Sequence, residues 1–324
     1  MVLILKVKSV STQMGVVIMR ALILAVCFAV TRVIGQPPRN GRAEGAMSAI
    51  SAGGHTTCGR VRANHCHGAQ GRCSLKGAVE CWGSNQYGQG NPPAGVFLKV
   101  SVGRDAACGI TIDGAIRCWG NEDSMIVTNP PHAFGFTKLS VGGNHACALW
   151  RGKAACWGAN EYGEATPPPG PFDDIACGYS HTCAIQSNGL VHCWGHDGEK
   201  AASGHPLQAR FTSVTAGDSF SCGVTIQRQI LCWGRNSEGQ SSPPTDVFVK
   251  SIAAGRRHAC AVRDAERSDN SAVCWGSNHE GQSRPRFKGL FVQVTTGAAH
   301  SCGLTKSGMV RCWGRSQRNF ELLA

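Results

Sequence analysis

Eighteen cysteines carry most of the chemistry this sequence could perform. Fourteen of them form seven pairs along the chain: Cys58/Cys81, Cys108/Cys118, Cys147/Cys156, Cys183/Cys193, Cys222/Cys232, Cys260/Cys274 and Cys302/Cys312. Cysteines at this density serve as disulfides, metal ligands or reactive thiols. Cys-x-x-Cys does not occur, and zinc would require the same ligand set seven times over. So many thiols are also foreign to a reducing cytosol. Seven disulfides are therefore expected, with seven pairs of buried thiols as the alternative. Cys66 and Cys73 lie in the stretch RVRANHCHGAQGRCSLK and are expected to close a small loop of their own. A zinc site with His55, His65 and His67 is the competing reading there. Cys177 is left over and reads as a buried free thiol.

The histidines repeat as well. His145, His181, His258 and His300 each stand two residues before a cysteine, so on a strand they share its face. Repetition at one position points to a structural hydrogen bond inside each repeat rather than to catalysis. The sequence holds no Gly-x-Ser-x-Gly, no phosphate-binding glycine loop and no His-Glu-x-x-His. Asp173-Asp174 reads as a solvated pair. No catalytic residue, metal ligand or cofactor is therefore expected. Recognition residues are sought where the repeats break their own pattern. Trp150 is the one tryptophan outside the repeated motif and sits with Arg151 at a predicted hairpin tip. Glu122 and Asp123 lie in an irregular link, 121–133. The stretches 60–76, 196–208 and 263–272 also depart from the repeat, and all four are candidate binding loops on one rim.

The elements that position these groups follow from Cys-Trp-Gly, which occurs seven times at intervals of 37–42 residues. Each unit opens with a short alternating segment ending in Gly, such as Lys99-Val100-Ser101-Val102-Gly103. A Cys, a turn such as Asp113-Gly114 or Asn188-Gly189, and Cys-Trp-Gly follow. Alternation bounded by such turns is the signal of strands and hairpins. A fixed period of about 40 residues with several short strands is one propeller blade. In five pairs the cysteines stand 9 or 10 residues apart, and the two longer spacings place their extra residues at the hairpin tip. The members of each pair then face one another across two antiparallel strands, about 4.5–5.5 Å apart at Cβ, so bridging requires some local closing. Because side chains alternate, Trp82, Trp119, Trp157, Trp194, Trp233, Trp275 and Trp313 must point away from the sulfur beside them. Each blade then offers a disulfide to one neighbour and an indole to the other.

The formal charge is +12, but the Lys and Arg residues are scattered, with no run that would mark a nucleic-acid arm. Residues 1–35 hold Arg20, the apolar run Ala21–Val30 and then Val33-Ile34-Gly35, the layout of a signal peptide. That run is too short to span a bilayer, which takes about 20 helical residues. The expected organisation is a signal peptide at 1–35, a linker at 36–46 and a propeller at 47–324. The mature chain is expected to lack a membrane span and to be an extracellular monomer.

The pattern Gly-x-x-His-x-Cys, hairpin, Cys-Trp-Gly-x-Asn-x-x-Gly-Gln resembles the repeat of the regulator of chromosome condensation superfamily. Gly83-Ser-Asn85 to Gly88-Gln89, Gly234-Arg-Asn236 to Gly239-Gln240 and Gly276-Ser-Asn278 to Gly281-Gln282 carry it in full. The resemblance implies an all-β, seven-bladed propeller with four-stranded blades. The cysteine pairs and the signal segment are closest to the family's extracellular branch, the ectodomains of plant Crinkly-type receptor-like kinases and secreted bacterial repeat proteins. The function this implies is recognition of a protein or peptide without catalysis, by a free secreted propeller or a receptor fragment. A nucleotide-exchange factor like the family's founding member and a secreted enzyme inhibitor are the alternatives.

Overall fold

The computed structural model describes residues 46–62, 76–264, 269–287 and 290–315, and the backbone alone at 65–67 and 72–74. The leader read from the sequence, the linker as far as residue 45, and the tail after Arg315 lie outside the described residues. Seven antiparallel sheets follow one another along the chain, spanning 47–83, 97–120, 136–158, 172–195, 211–234, 249–276 and 291–314. Each is one blade. Blade 3 shows the plan: an inner strand Phe136–Val141, a middle strand His145–Trp150 and an outer strand Lys153–Gly158. Every blade has three strands among the described residues, not four. The Asn-x-x-Gly-Gln stretch that follows the outer strand forms a tight turn and adds no fourth strand. In blade 5, the Asn236 side chain accepts from the Ser241 amide and its carbonyl accepts from the Gly239 amide. A backbone that satisfies its polar groups locally has none left for a ladder.

All seven inner strands slip by one residue at their start, as between Phe97 and Lys99 in blade 2. Such bulges raise local twist, which a radial array of small sheets requires. Middle strands are buried along almost their whole length because a neighbouring blade covers each face.

The paired cysteines sit directly opposite each other in the middle and outer strands. All seven expected bridges are formed: Cys58–Cys81, Cys108–Cys118, Cys147–Cys156, Cys183–Cys193, Cys222–Cys232, Cys260–Cys274 and Cys302–Cys312. Their Cα atoms are 4.0 Å apart. The usual spacing at a non-hydrogen-bonded antiparallel pair is about 4.5 Å, so the strands close on the bridge as expected. The two halves of a bridge are not equally covered. The middle-strand cysteines are fully buried, whereas Cys118, Cys156, Cys232, Cys274 and Cys312 on the outer strands are only half-buried. A bridge wholly inside the core, as the sequence suggests, is therefore found only in blades 1 and 4, where Cys81 and Cys193 are buried too. The reason is radial: neighbouring sheets diverge away from the axis, and no fourth strand lies beyond the outer one. The loops bridged by nine or ten residues are each worth roughly 2–3 kcal/mol in the chain-entropy account. In the blade 1 insertion the backbone pairs Cys66 with Cys73, but their side chains lie outside the described residues.

The core divides into seven clusters, one per junction between blades. Each combines the disulfide of one blade with the indole of the next: Trp119 on Cys58 and Cys81, Trp157 on Cys108 and Cys118, Trp233 on Cys183 and Cys193. Trp275 meets Cys222 and Cys232, and Trp313 meets Cys260 and Cys274. Trp82 of blade 1 packs on Cys302 and Cys312 of blade 7, so the same contact closes the ring. Closure is reinforced by Gln293, whose side chain accepts from the Ile50 amide and donates to the Ile50 carbonyl. Six indoles also donate to a backbone carbonyl of the preceding blade, the acceptors being Gln89, Ile126, Glu164, Ala201, Gln240 and Gln282. Each acceptor stands seven residues after the previous blade's tryptophan.

At the axis the inner strands all end in glycine: Gly53, Gly103, Gly142, Gly178, Gly217, Gly255 and Gly297. A Cβ at any of these would lie 2.2–2.8 Å from a backbone oxygen of the next blade. The inner strands can crowd together only where nothing projects between them. Replacing Gly142 with Ala, whose Cβ would meet the Gly178 carbonyl at 2.2 Å, should destabilise the ring by about 2 kcal/mol or more. Chemical denaturation of the oxidised protein measures this. An unchanged midpoint would show that the axis is looser than described.

Candidate functional site

The four motif histidines are buried and bond across the blade junctions rather than within a blade. Nε2 of His145 lies 2.6 Å from the Thr182 hydroxyl, His181 2.8 Å from Ser221, His258 2.9 Å from Ser301 and His300 2.8 Å from Thr57. Thr182 and Ser301 donate their own hydroxyl protons to the Glu164 and Gln282 carbonyls. The imidazoles of His145 and His258 must therefore donate through Nε2, which fixes the neutral tautomer. Burial pushes His145 and His300 down to about 4 and His181 and His258 down to about 3. Where the first position lacks His, as at Thr56, Ala106 and Phe220, the next blade has Ala107, Ala146 and Ala259 in place of a hydroxyl. This complementarity is present in the sequence and could have been found by comparing each repeat with its successor.

These groups build the frame. The surface chemistry gathers elsewhere, at the turns joining inner and middle strands, where the seven blades converge on the axis. The leading turn residues are Gly54, Arg104, Gly143, Tyr179, Asp218, Arg256 and Ala298. Consecutive turns are tied by backbone bonds, among them Gly143 N to Gly178 O at 3.0 Å and Ala298 N to Gly54 O at 2.6 Å. The rim is narrow enough for Arg104 of blade 2 to pass over blade 3 and donate to the Tyr179 hydroxyl of blade 4 at 2.7 Å. Its guanidinium lies 5.7 Å from that ring's centroid. Gly143 leaves the room, since a Cβ there would lie 2.5 Å from the tyrosine ring. Between adjacent blades, Arg256 of blade 6 donates through Nε to Asp218 of blade 5 at 3.1 Å. His55 is held below its usual range by burial and by the nearby Arg315 and Arg256, with Asp105 opposing. The centre is thus basic and rich in donors. The loops following the outer strands at the same end carry Glu122, Asp123, Glu161 and Glu199.

The binding candidates read from the sequence do not come together. Glu122 and Asp123 are exposed at this end, in a link that makes a short helix, Met125–Thr128, capped by Ser124. That link is irregular because buried Ile126 replaces the usual Gln while its carbonyl still receives Trp157. In the link 196–208, Asp197 caps the Ala202 and Ser203 amides and is held low by the Ser203 hydrogen bonds. Trp150 and Arg151 lie at the opposite end of the blades. Trp150 is half-buried against the Phe136 cluster, with the Arg151 guanidinium 5.1 Å from its ring centroid. The described ends of the insertion 60–76 and of the turn 263–272 belong to that far end too, so the four candidate loops start from two rims rather than one. Residues 265–268 of that turn lie outside the described residues. Cys177 is a buried free thiol, pushed up to about 12 by burial. His145, Cys147 and Cys177 place donor atoms within 4.8 Å of one another, but Cys147 is already bonded to Cys156.

With the geometry established, comparison with known proteins identifies the repeat. Residues 97–124, 172–199, 211–240, 249–282 and 291–319 match the family described as "Regulator of chromosome condensation (RCC1) repeat". The chain carries RCC1 repeats. Its fold is similar to the Crinkly ectodomain of the Arabidopsis thaliana receptor kinase ACR4, with TM-score 0.64 and 25% identity over 83% of this chain and 95% of that one. It is also similar to the entire ectodomain of the Physcomitrella patens receptor kinase CR4, with TM-score 0.66 and 25% identity over 84% and 74% of the two chains. Prp20p of Saccharomyces cerevisiae, described with its binding to Gsp1p and histones, shares the fold at TM-score 0.59 and 15% identity, over 84% and 83%.

The neutral histidines make stability depend on pH with a definite sign. Their folded pKa values lie below the unfolded value of 6.5. Their contribution is therefore complete above that value and declines as pH falls toward 4, because the unfolded chain takes up protons first. Each histidine should cost roughly 2 kcal/mol at pH 5. Melting temperature should drop between pH 7 and pH 5, and by less in the double variant His181→Ala/Ser221→Ala. Equal drops in both proteins would show that His181 is not held neutral.

Proposed function

We propose that this chain is a secreted or cell-surface propeller that recognises a protein or peptide ligand without catalysing a reaction, as in receptor-type ectodomains. The observation that carries this reading is one bridge in every blade, each forming half of an inter-blade contact. A ring that depends on seven disulfides suits an oxidising compartment. The similarity to the two receptor-kinase ectodomains supports the same placement. Residues 1–35 act as the export signal in this reading and are removed, leaving a monomer with no membrane span. Among the described residues no helix is long and apolar enough to cross a membrane. Of the +12 formal charge, Lys6, Lys8, Arg20 and Arg32 leave with residues 1–35, and the +8 that remains (12 − 4) is a property of a soluble basic surface rather than of nucleic-acid binding.

Expression of the full chain in secretory cells tests this. The expected product is exported, lacks residues 1–35, shows the seven predicted bridges by non-reducing peptide mapping, and retains a protein partner when used as bait on a cell-surface extract. Retention inside the cell with thiols at the paired positions would overturn the reading and favour an exchange-factor role.

A further inference from the structure

We propose that the axial rim is a carboxylate-binding site in which Arg104 and Arg256 receive the acidic side chains of a peptide segment of the partner. The inference deepens the binding-scaffold reading and rests on it.

The axial turns bring the guanidiniums of Arg104 and Arg256 to the same end of the ring. Arg104 spends Nη1 on the Tyr179 hydroxyl and directs Nε toward Asp105 at 3.5 Å. Arg256 uses Nε alone, on Asp218. The arginine side chains are 54% and 59% exposed, so their remaining N–H groups face solvent in a fork that suits a carboxylate. The Tyr179 contact pre-orients Arg104, which lowers the entropy lost on binding. Asp105 and Asp218 hold the guanidiniums in place but do not balance the site, because Arg315 adds its charge at the same end, close enough to help hold His55 low. Around this centre lie Glu122, Asp123 and Glu161, at the starts of neighbouring links. An extended acidic polymer would be repelled there. A segment with a short acidic core and basic flanks meets favourable charge at both places.

The test uses the secreted, oxidised full chain and isothermal titration at low salt. The probe is the capped peptide Lys-Lys-Gly-Asp-Glu-Asp-Gly-Lys-Lys, with its Asn-Gln-Asn counterpart as control. Binding of the acidic-core peptide is expected, with little binding of the control. Arg104→Ala and Arg256→Ala should each weaken it about tenfold or more, the loss expected for one charge-assisted hydrogen bond. Lys306→Ala, at the opposite end of the blades, should leave it unchanged, and all three variants should melt like the parent. Absence of peptide binding or indifference to both arginine variants would each overturn the inference. If the bait still captures its cell-surface partner with both arginines replaced, the scaffold reading survives and only the axial site falls.

Discussion

Everything in this ring depends on an indole lying against its neighbour's disulfide. A hairpin closed by a bridge after nine or ten residues is stiff, but with two faces open to water it has no core. The next blade supplies one. Alternation turns Trp to the face opposite the cysteine beside it, so each sheet offers sulfur on one side and an aromatic ring on the other. Stacking then buries both without a residue spanning more than one junction. Repeat proteins work this way in general, with stability accruing at interfaces between units. Here the covalent bond lies within the unit and the packing between units, and neither is sufficient alone.

That division explains which features could be read from the sequence. The bridges were legible because spacing and the hairpin rule fix which residues face each other, and the direction of the tryptophans followed from parity. The number of strands was not. Asn236 and its equivalents fold the Gly-Gln stretch into a turn through side-chain bonds that a hydropathy pattern does not register. The same missing strand leaves Cys118, Cys232, Cys274 and Cys312 half-buried, which pairing alone does not foretell. The histidines were recognised as structural, but their partners were assigned to the wrong blade, since a single repeat cannot show what the next one presents. Comparing His145 with Thr182, and Phe220 with Ala259, reveals the rule. The axial site was the least visible. Arg104, Tyr179 and Arg256 lie far apart in sequence and meet only because three turns reach one axis.

The residues that break the repeat divide along the same line. Ile126 and Ala201 look like departures, but each keeps the backbone carbonyl that its tryptophan requires, seven residues on, so the change is absorbed by the frame. Trp150 is likewise drawn into packing against the Phe136 cluster. The leading positions of the axial turns are different. Their side chains stand outside the seven junction cores, touching one another as in Arg256 on Asp218 and Arg104 on Tyr179, and they range from Gly and Ala to Arg, Tyr and Asp. Positions released from packing in an otherwise constrained ring are those where recognition can be specified at little cost to the fold.

Ring closure imposes a further condition. An open stack would leave one blade with an uncovered disulfide and another with an uncovered indole. The junction of blades 7 and 1 contains both, together with the His300–Thr57 bond. A buried imidazole that loses its hydroxyl partner bears the full desolvation cost of its N–H, while alanine facing a small or apolar residue has nothing to satisfy. His therefore has to face Thr or Ser, and Ala suffices where His is absent. Four junctions of the first kind and three of the second, in an uneven order around the circle, set the faces that must meet a hydroxyl apart from those that need none. Near-identical units that must each find one partner gain from such marks, because inter-blade packing alone, repeated seven times, would not separate the correct register from a shifted one.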